Sequence, residues 1–278
     1  MREWPLRGRF PSSAGEVRWD SFGAGGDPVV LAHGTPFSSL IWREIAPALA
    51  AHHRVYVWDM PGYGRSAAYD GQDVSLAAQA TVLTELLGHW GLTRPLMVAH
   101  DSGGAVALGA HLLHGAAYAR LALVDAVTLP PWGSPFFELA GAHIDVFARL
   151  PAELHDGLVR AYIGTASSPG LTAATLDALA APWRGDDGRA AFYRQLDQRR
   201  ADPAFIDQLI GGYPGIRMPV LVCWGADDRW IPADRGRELA ARIPGARLRV
   251  IPGAGHLVQE DHPAELAAAL LAFLHGIG

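Results

Sequence analysis

The sequence contains no lysine, because all 23 of its basic residues are arginine. Chemistry that needs a lysine amine, such as Schiff-base catalysis or phosphate binding by a P-loop, is therefore excluded. The net charge is −5, and no block of like charge interrupts the chain. This balance argues against nucleic acid or an anionic membrane surface as the main partner.

Cysteine is nearly as scarce, since Cys223 is the only one in the chain. A single thiol excludes an internal disulfide and a cluster of thiolate metal ligands, and its apolar neighbours favour a buried core position. The first residues contain no apolar signal-peptide core, and no run approaches the roughly 18 apolar residues of a membrane span. We therefore expect a cytoplasmic protein that uses no metal and no other cofactor.

Apolar residues, by contrast, are abundant. Of the 278 residues, 50% are hydrophobic and only 18% are charged. A chain of this length and composition can bury a large core, which excludes intrinsic disorder as its overall state. The length predicts one large domain, or one domain with an insertion.

Short apolar runs alternate with longer amphipathic stretches along most of the chain. Several runs, such as 29–32 and 121–124, are continuously apolar, which is typical of parallel strands covered on both faces. This alternation predicts a parallel α/β sheet. The predicted strands are 16–20, 28–32, 54–58, 95–100, 120–126, 219–224 and 247–251, and the helices between them are 38–51, 75–91, 102–115, 234–243 and 263–275.

The alternation stops between residues 129 and 214, where every predicted element is a helix. These helices are 134–150, 152–164, 171–181, 188–199 and 202–212, separated by segments rich in proline, glycine and serine. An all-helical block between two strands predicts a lid over the carboxyl ends of the sheet, where open α/β sheets bind ligands. We therefore expect an α/β core of residues 1–128 and 215–278 and a helical lid of residues 129–214.

The sequence Ala-His-Asp-Ser-Gly-Gly lies where a predicted strand meets a predicted helix. It fits a sharp turn that presents a nucleophile and needs small residues two positions before and after that nucleophile. Asp101 has Ala99 and Gly103 at those positions, whereas a central Ser102 would place His100 at one of them. The pattern therefore selects Asp101 as the nucleophile. The alternative is that Asp101 only caps the helix that follows.

Further motifs follow other predicted strands. Residues 33–36 read His-Gly-Thr-Pro, residues 59–66 read Asp-Met-Pro-Gly-Tyr-Gly-Arg-Ser, and residues 252–260 form a glycine-rich loop around His256. Together with the turn at Asp101, these motifs resemble those of the α/β-hydrolase fold family over nearly the whole chain outside the lid. The resemblance implies an α/β-hydrolase fold, with a mostly parallel central sheet flanked by helices and an inserted all-helical lid.

The resemblance also implies roles for individual residues. His256 looks like the catalytic histidine of the family and would take a proton from water. Asp228 matches the family's Gly-x-x-Asp acid that orients this histidine, and Asp125, at the end of an earlier strand, is the alternative. The backbone N–H groups of Thr35 and Ser102 would form an oxyanion hole.

An aspartate in the nucleophile position changes the chemistry. A carboxylate is ionised at neutral pH and can attack saturated carbon, giving an alkyl ester that water must hydrolyse. Attack on an ordinary ester would give a reactive anhydride instead. Asp101 therefore favours a small hydrophobic epoxide or alkyl halide as the substrate. An esterase that uses Ser102 and a non-catalytic binding fold remain as alternatives.

Two departures from the related families favour epoxides over halides. Haloalkane dehalogenases usually have a halide-binding Trp directly after the nucleophile, where this chain has Ser102, and nothing in the sequence aims Trp132 or Trp183 at the site. Epoxide hydrolases need a lid acid, generally tyrosine, and Tyr193 and Tyr162 are the candidates. We therefore predict an epoxide hydrolase, with a haloalkane dehalogenase as the alternative.

Overall fold

An eight-stranded sheet forms the centre of the computed structural model, which describes residues 4–23, 25–130, 132–200 and 203–277. Its strands are β1 (Gly8–Ser12), β2 (Gly15–Phe22), β3 (Pro28–Ala32), β4 (Arg54–Trp58), β5 (Leu96–His100), β6 (Arg120–Val124), β7 (Val220–Gly225) and β8 (Arg247–Ile251). Their order in the sheet is β1-β2-β4-β3-β5-β6-β7-β8. Strand β2 pairs antiparallel with β1 and β4, and the other neighbours are parallel. The predicted α/β fold with a mostly parallel sheet is confirmed.

The central strands are buried along almost their whole length. Every residue of β5 is buried, as are all residues but the first in β3 and in β6. A strand covered on both faces carries apolar side chains at successive positions, which is why these strands are recognisable in the sequence. The sequence did not predict β1, because its residues alternate between half-buried and exposed and Pro11 interrupts them.

Twelve α-helices occur in the described part of the chain. They are α1 (Ala46–Ala50), α2 (Leu76–His89), α3 (Ser102–His114), α4 (Pro135–Ala142), α5 (Ile144–Phe147), α6 (Ala152–Gly164), α7 (Ala173–Ala180), α8 (Gly185–Arg200), α9 (Pro203–Gly212), α10 (Asp234–Arg242), α11 (Val258–Asp261) and α12 (Pro263–Leu274). Six of them, α4–α9, lie between β6 and β7, at the place where the sequence predicts the lid.

Two long predicted helices are divided in the structure. The segment 38–51 forms a 3-10 turn at Ser39–Trp42 and then α1. Pro47 lies in the first turn of α1, where its missing N–H leaves no helical hydrogen bond unmade, whereas within one continuous helix it would remove a bond. The segment 134–150 is divided at His143, whose φ of −133° lies outside the helical region.

The starts of the last two predicted helices of the all-helical block have different outcomes. Helix α8 begins at Gly185 rather than at residue 188, because Asp186 and Asp187 form its first turn, where acidic side chains face the positive end of the helix. The predicted helix 202–212 has its first residue, Asp202, outside the described residues, and α9 covers the remainder. No helix in the described segments combines the length and the apolar character needed to cross a lipid bilayer.

Candidate active site

The residues singled out in the sequence follow the carboxyl ends of neighbouring parallel strands. Thr35 follows β3, Asp101 follows β5, Asp228 follows β7 and His256 follows β8. The carboxyl ends of parallel strands share one edge of a sheet, so the topology gathers these residues into one place. Residues separated by more than two hundred positions in the chain thereby form a single site.

The strained backbone of the strand–helix turn lies at Asp101, whose φ is +51°. This conformation is uncommon for a residue with a side chain, and it lifts the Asp101 carboxylate out of the turn. A side chain on Gly103 could not be accommodated, because its Cβ would lie 2.3 Å from the carbonyl oxygen of His33. The structure therefore places the turn on the frame that the sequence selects, with Asp101 rather than Ser102 at its centre.

One oxygen of the Asp101 carboxylate is fixed by a backbone amide. Thr35 N–H donates a hydrogen bond of 2.7 Å to Asp101 Oδ1. Ser102 contributes its side chain as well, since Ser102 Oγ lies 3.1 Å from the same N–H and accepts from it. The sequence indicates only the backbone N–H of Ser102 as part of the oxyanion hole, and no sequence pattern predicts this contact of its hydroxyl group.

His256 lies between two carboxylates. Its Nδ1 is 2.9 Å from Asp228 Oδ2, and its Nε2 is 3.3 Å from Asp101 Oδ2. Asp228 is itself held in place, because its Oδ1 accepts hydrogen bonds from Trp230 N–H and Ile231 N–H. The Nε2 atom thus has the Asp101 carboxylate as its ion-pair partner.

The electrostatic balance at His256 favours the imidazolium. Burial alone would lower the pKa of His256, but the charges of Asp228 and Asp101 and the hydrogen bond with Asp228 together raise this pKa well above its usual value. The ring is fully buried. A cation at this position is therefore stabilised as long as both carboxylates stay ionised.

His100, which the sequence pattern marks only as too bulky for a position flanking the nucleophile, supports the loop that carries His256. Its Nε2–H donates a hydrogen bond of 3.0 Å to the carbonyl oxygen of His256. Burial and the neighbouring His256 charge lower the pKa of His100 to about 3, so this ring is neutral. In the sequence, the signal for this supporting role is a histidine at the end of an otherwise apolar strand.

Two further carboxylates lie near Asp228 in the sequence or in the fold, and they occupy different places. Asp227 accepts a hydrogen bond from Ser168 Oγ of the lid at 3.0 Å, away from the histidine. Asp125 is close to the site, since one carboxylate oxygen from Asp125, one from Asp228 and a ring nitrogen of His256 all lie within 4.8 Å of one another. Among the described residues, these three are the group whose ligand atoms are close enough for one metal ion. Asp228, however, is the acid that contacts His256 Nδ1.

The two lid tyrosines are placed differently. Tyr162 lines a narrow pocket together with Asp101 and Thr35, and its hydroxyl lies 2.8 Å from Ser134 Oγ. Its ring stacks on Trp230 with a centroid separation of 4.1 Å and an interplanar angle of 5°. Tyr193 is not among the residues that line this pocket.

Tyr193 and the lid tryptophan Trp183 instead make contacts inside the lid and with the core. The Tyr193 hydroxyl lies 3.2 Å from His155 Nδ1, and burial raises the pKa of Tyr193 to about 12. Trp183 Nε1–H donates to the carbonyl oxygen of Pro36 at 2.6 Å. The indole of Trp230, at the edge of the pocket, donates to Thr165 Oγ1 at 2.9 Å.

A wider chamber adjoins the narrow pocket on the lid side. It has a volume of about 490 Å³ and shares Ser134, Tyr162 and Trp230 with the inner pocket. Its other walls are formed by Pro135, Phe136, Leu158, Ala161, Thr165 and Arg229. Tyr162 and Trp230 therefore line both the chamber and the narrow pocket that contains the Asp101 carboxylate.

Comparison with known proteins agrees with this architecture. The model of the alpha/beta hydrolase family matches residues 29–269. Epoxide hydrolase A of Mycobacterium tuberculosis is 31% identical over 91% of this chain and 92% of that protein. Haloalkane dehalogenase 2 of Mycobacterium bovis is 28% identical over 96% of this chain and 95% of that protein.

A solved structure gives the same result at higher identity. A crystal structure of an alpha/beta hydrolase fold protein from Burkholderia ambifaria is 46% identical, with a TM-score of 0.91, and the match covers 96% of this chain and 98% of that one. The names of the two curated relatives refer to different reactions, so similarity establishes the class of enzyme and not the bond that is cleaved. The chain belongs to the alpha/beta hydrolase family and is a hydrolase.

Proposed function

We propose that the protein hydrolyses small apolar epoxides through a covalent ester on Asp101. The observation that carries the proposal is the position of Tyr162, which lines the same narrow pocket as the Asp101 carboxylate. Opening an epoxide requires a nucleophile at carbon and a proton donor at oxygen, and this pocket supplies both groups. The indole N–H groups of Trp183 and Trp230 already have protein acceptors, which disfavours a halide site built from them.

In the first step, Asp101 attacks an epoxide carbon. Thr35 N–H holds Oδ1, so Oδ2 is the attacking oxygen. The ring C–O bond breaks, and Tyr162 transfers its phenolic proton to the leaving oxygen, which stays in the same molecule as a hydroxyl group. Ser134 Oγ can donate a hydrogen bond to the resulting phenolate, which favours the charged form of the tyrosine.

In the second step, His256 takes a proton from water, and the water oxygen attacks the ester carbonyl carbon. Ester formation has removed the charge of Asp101, which is one cause of the raised pKa of His256. The pKa of His256 therefore falls after the first step, and the imidazolium releases its proton to solvent and becomes the base that the second step requires. The ring takes a proton back from solvent when the charge of Asp101 is restored. Asp228 stabilises the new imidazolium, and Thr35 N–H stabilises the oxyanion.

The collapse of the tetrahedral intermediate completes the cycle. The diol oxygen leaves with the proton held by His256, and the carboxyl group of Asp101 is regenerated. The second proton of the water returns to Tyr162, so the net reaction is addition of one water to the epoxide. The remaining substituent of the substrate would occupy the chamber of about 490 Å³, whose walls include Phe136 and Leu158.

A matched substrate panel tests the proposal. One apolar carbon skeleton is offered as an epoxide, as a terminal alkyl halide and as an acetate ester, with diol, halide ion and acetate as the three readouts. We expect turnover of the epoxide only. Release of halide ion as the main activity would replace the proposal by dehalogenation, and release of acetate would replace it by ester hydrolysis.

A single turnover in ¹⁸O-labelled water, with enzyme in excess, tests the covalent step. The oxygen that enters the product comes from Asp101, so the first diol should be mostly unlabelled and the label should appear in the peptide containing Asp101. Direct attack by activated water would label the diol at once. Activity should survive in Ser102→Ala, because the Ser102 hydroxyl takes no part in either step, and its complete loss in a folded variant would contradict the mechanism.

A further inference from the structure

Asp125 is a buried carboxyl group that the two proposed steps do not use. Its relative exposure is 0%, and its φ of +42° is a second strained backbone conformation at the same edge of the sheet. Gly225 N–H donates a hydrogen bond of 2.8 Å to Asp125 Oδ1. In the described structure, Oδ2 has no hydrogen-bond donor. A buried carboxylate oxygen without a donor is unfavourable, so this group needs an explanation.

The surroundings of Asp125 oppose a second negative charge. One carboxylate oxygen of Asp125, one of Asp228 and a ring nitrogen of His256 lie within 4.8 Å of one another. Among the described residues, the thiol of Cys223, in β7, is the other ionisable group that faces Asp125. Burial and the Asp228 charge raise the pKa of Asp125 well above its usual value, and the same burial keeps the Cys223 thiol neutral. His256 is the one cation in this group, and it already contacts Asp228 directly.

We infer that Asp125 is a positioning residue that stays protonated at neutral pH and donates its proton to the carboxylate of Asp228. The two carboxyl groups then share one proton and one negative charge. Oδ2 of Asp125 becomes a donor rather than an acceptor without a partner, which satisfies the buried group. The inference rests on the proposed function only in so far as Asp228 orients a catalytic His256.

The shared proton has a consequence for the base. Asp228 Oδ1 already accepts from Trp230 N–H and Ile231 N–H, and Oδ2 contacts His256 Nδ1. A further donor from Asp125 keeps Asp228 from taking up the imidazolium proton, and it fixes the carboxylate against the ring. When Asp125 ionises at alkaline pH, two adjacent carboxylates repel each other and this arrangement is lost.

Two variants distinguish the effect of the Asp125 proton from the effect of the size and shape of its side chain. Asp125→Asn keeps a neutral donor of the same size and should retain the activity of the wild type at neutral pH while losing the alkaline decline that ionisation of Asp125 causes. Asp125→Leu has no donor and should lower kcat about tenfold or more, as loss of a group that orients a functional residue does at other sites. Equal activity and identical pH profiles for the wild type and both variants would contradict the inference.

The protonation state is also measured without any substrate. Infrared spectroscopy of the wild type at neutral pH should show the carbonyl stretch of a buried, protonated carboxylic acid, and this band should disappear in Asp125→Asn. If the wild type shows the band and Asp125→Asn lacks it, but the protein does not hydrolyse epoxides, that result would support the shared proton and contradict only the proposed reaction. If no such band is present, the inference is wrong whatever the substrate.

The pH dependence of stability gives a second substrate-free readout. Because the folded-state pKa of Asp125 is raised, its contribution to stability is complete below its unfolded pKa of about 4 and is lost as pH rises through the folded-state pKa. Asparagine does not titrate in this range. The free energy of unfolding of Asp125→Asn should therefore increase relative to that of the wild type as pH rises. Parallel curves would contradict a protonated Asp125.

A metal ion is the competing occupant of these side chains. It would require Asp125 and Asp228 to be ionised together, which the shared proton forbids. Calorimetric titration with Zn²⁺ and with Mn²⁺ should show no binding that depends on Asp125. Tight binding to the wild type that is absent in Asp125→Asn would overturn the inference.

Discussion

At the scale of single residues, the charge state of His256 depends on the carboxylate of Asp101, 3.3 Å from its Nε2 atom. We predict that Asp101→Asn lowers the pKa of His256 relative to the wild type, because one of the two charges that raise it is removed while burial remains. An NMR titration of the His256 ring signals measures this change. Asp227→Asn is the control, since Asp227 contacts Ser168 instead, and an unchanged pKa in Asp101→Asn would rule out the proposed change from acid to base.

Single substitutions can also distinguish the two proposed catalytic steps. We predict that His256→Gln still forms the ester on Asp101 and then stalls, because only hydrolysis needs the base. Intact-protein mass spectrometry after exposure to an epoxide should show one added substrate mass. Asp101→Ala should show none. An unmodified His256→Gln protein, with a substrate that the wild type turns over, would contradict the assignment of His256 as the base.

At the scale of secondary-structure elements, helices α6 and α8 of the lid carry the two candidate acids. Tyr162, on α6, lines the pocket with Asp101, whereas Tyr193, on α8, contacts His155. We predict that Tyr162→Phe slows ester formation by about 100-fold or more, the usual effect of losing a general acid. The phenyl ring keeps the stack on Trp230, so the loss reports the hydroxyl group.

Tyr193→Phe is the matched control for this prediction, because it removes one hydroxyl from the same lid. Pre-steady-state measurement of ester formation should give a rate near that of the wild type for Tyr193→Phe. The reverse order of the two effects would move the proton donor from α6 to α8.

At the scale of the whole molecule, the lid is tied to the histidine loop through Asp261. Its carboxylate accepts hydrogen bonds from Ser167 Oγ at 2.5 Å, Ser168 N–H at 2.9 Å and Gly255 N–H at 2.7 Å. Gly255 directly precedes His256, so one side chain fixes both the lid segment and the loop that carries the proposed base. Lid position and histidine position are therefore coupled.

We predict that Asp261→Ala lowers the free energy of unfolding by about 1–3 kcal/mol, because part-buried donors lose their acceptor. Hydrogen exchange should become faster at the amides of residues 166–168 and 255–257 together. Glu265→Gln is the control, since it removes an exposed ion pair with Arg249 and should change neither segment. Faster exchange in only one of the two segments would contradict the coupling.

Much of this molecule follows from local sequence patterns. Strands β3, β4 and β8 have their predicted bounds. Strand β3 is covered on both faces and carries consecutive apolar residues, whereas β8, at the sheet edge, alternates exposed and less exposed positions. The turn at Asp101 is equally local, since a strained φ with a glycine two residues later is a property of one short segment. Family resemblance then indicated His256 and Asp228, which the parallel sheet brings to the same edge.

The tertiary structure alone decided which distant side chains meet. Helix periodicity places Tyr162 and Tyr193 in the lid equally well, and only the tertiary packing of α6 brings Tyr162 to the pocket of Asp101. The approach of Asp125 to Asp228 likewise depends on the pairing of β6 with β7, which no local pattern encodes. Backbone conformation is determined by interactions within a few residues, whereas distances across the fold depend on how all the elements pack together. The pKa values and proton transfers of this site depend on those distances, so only the tertiary structure determines them.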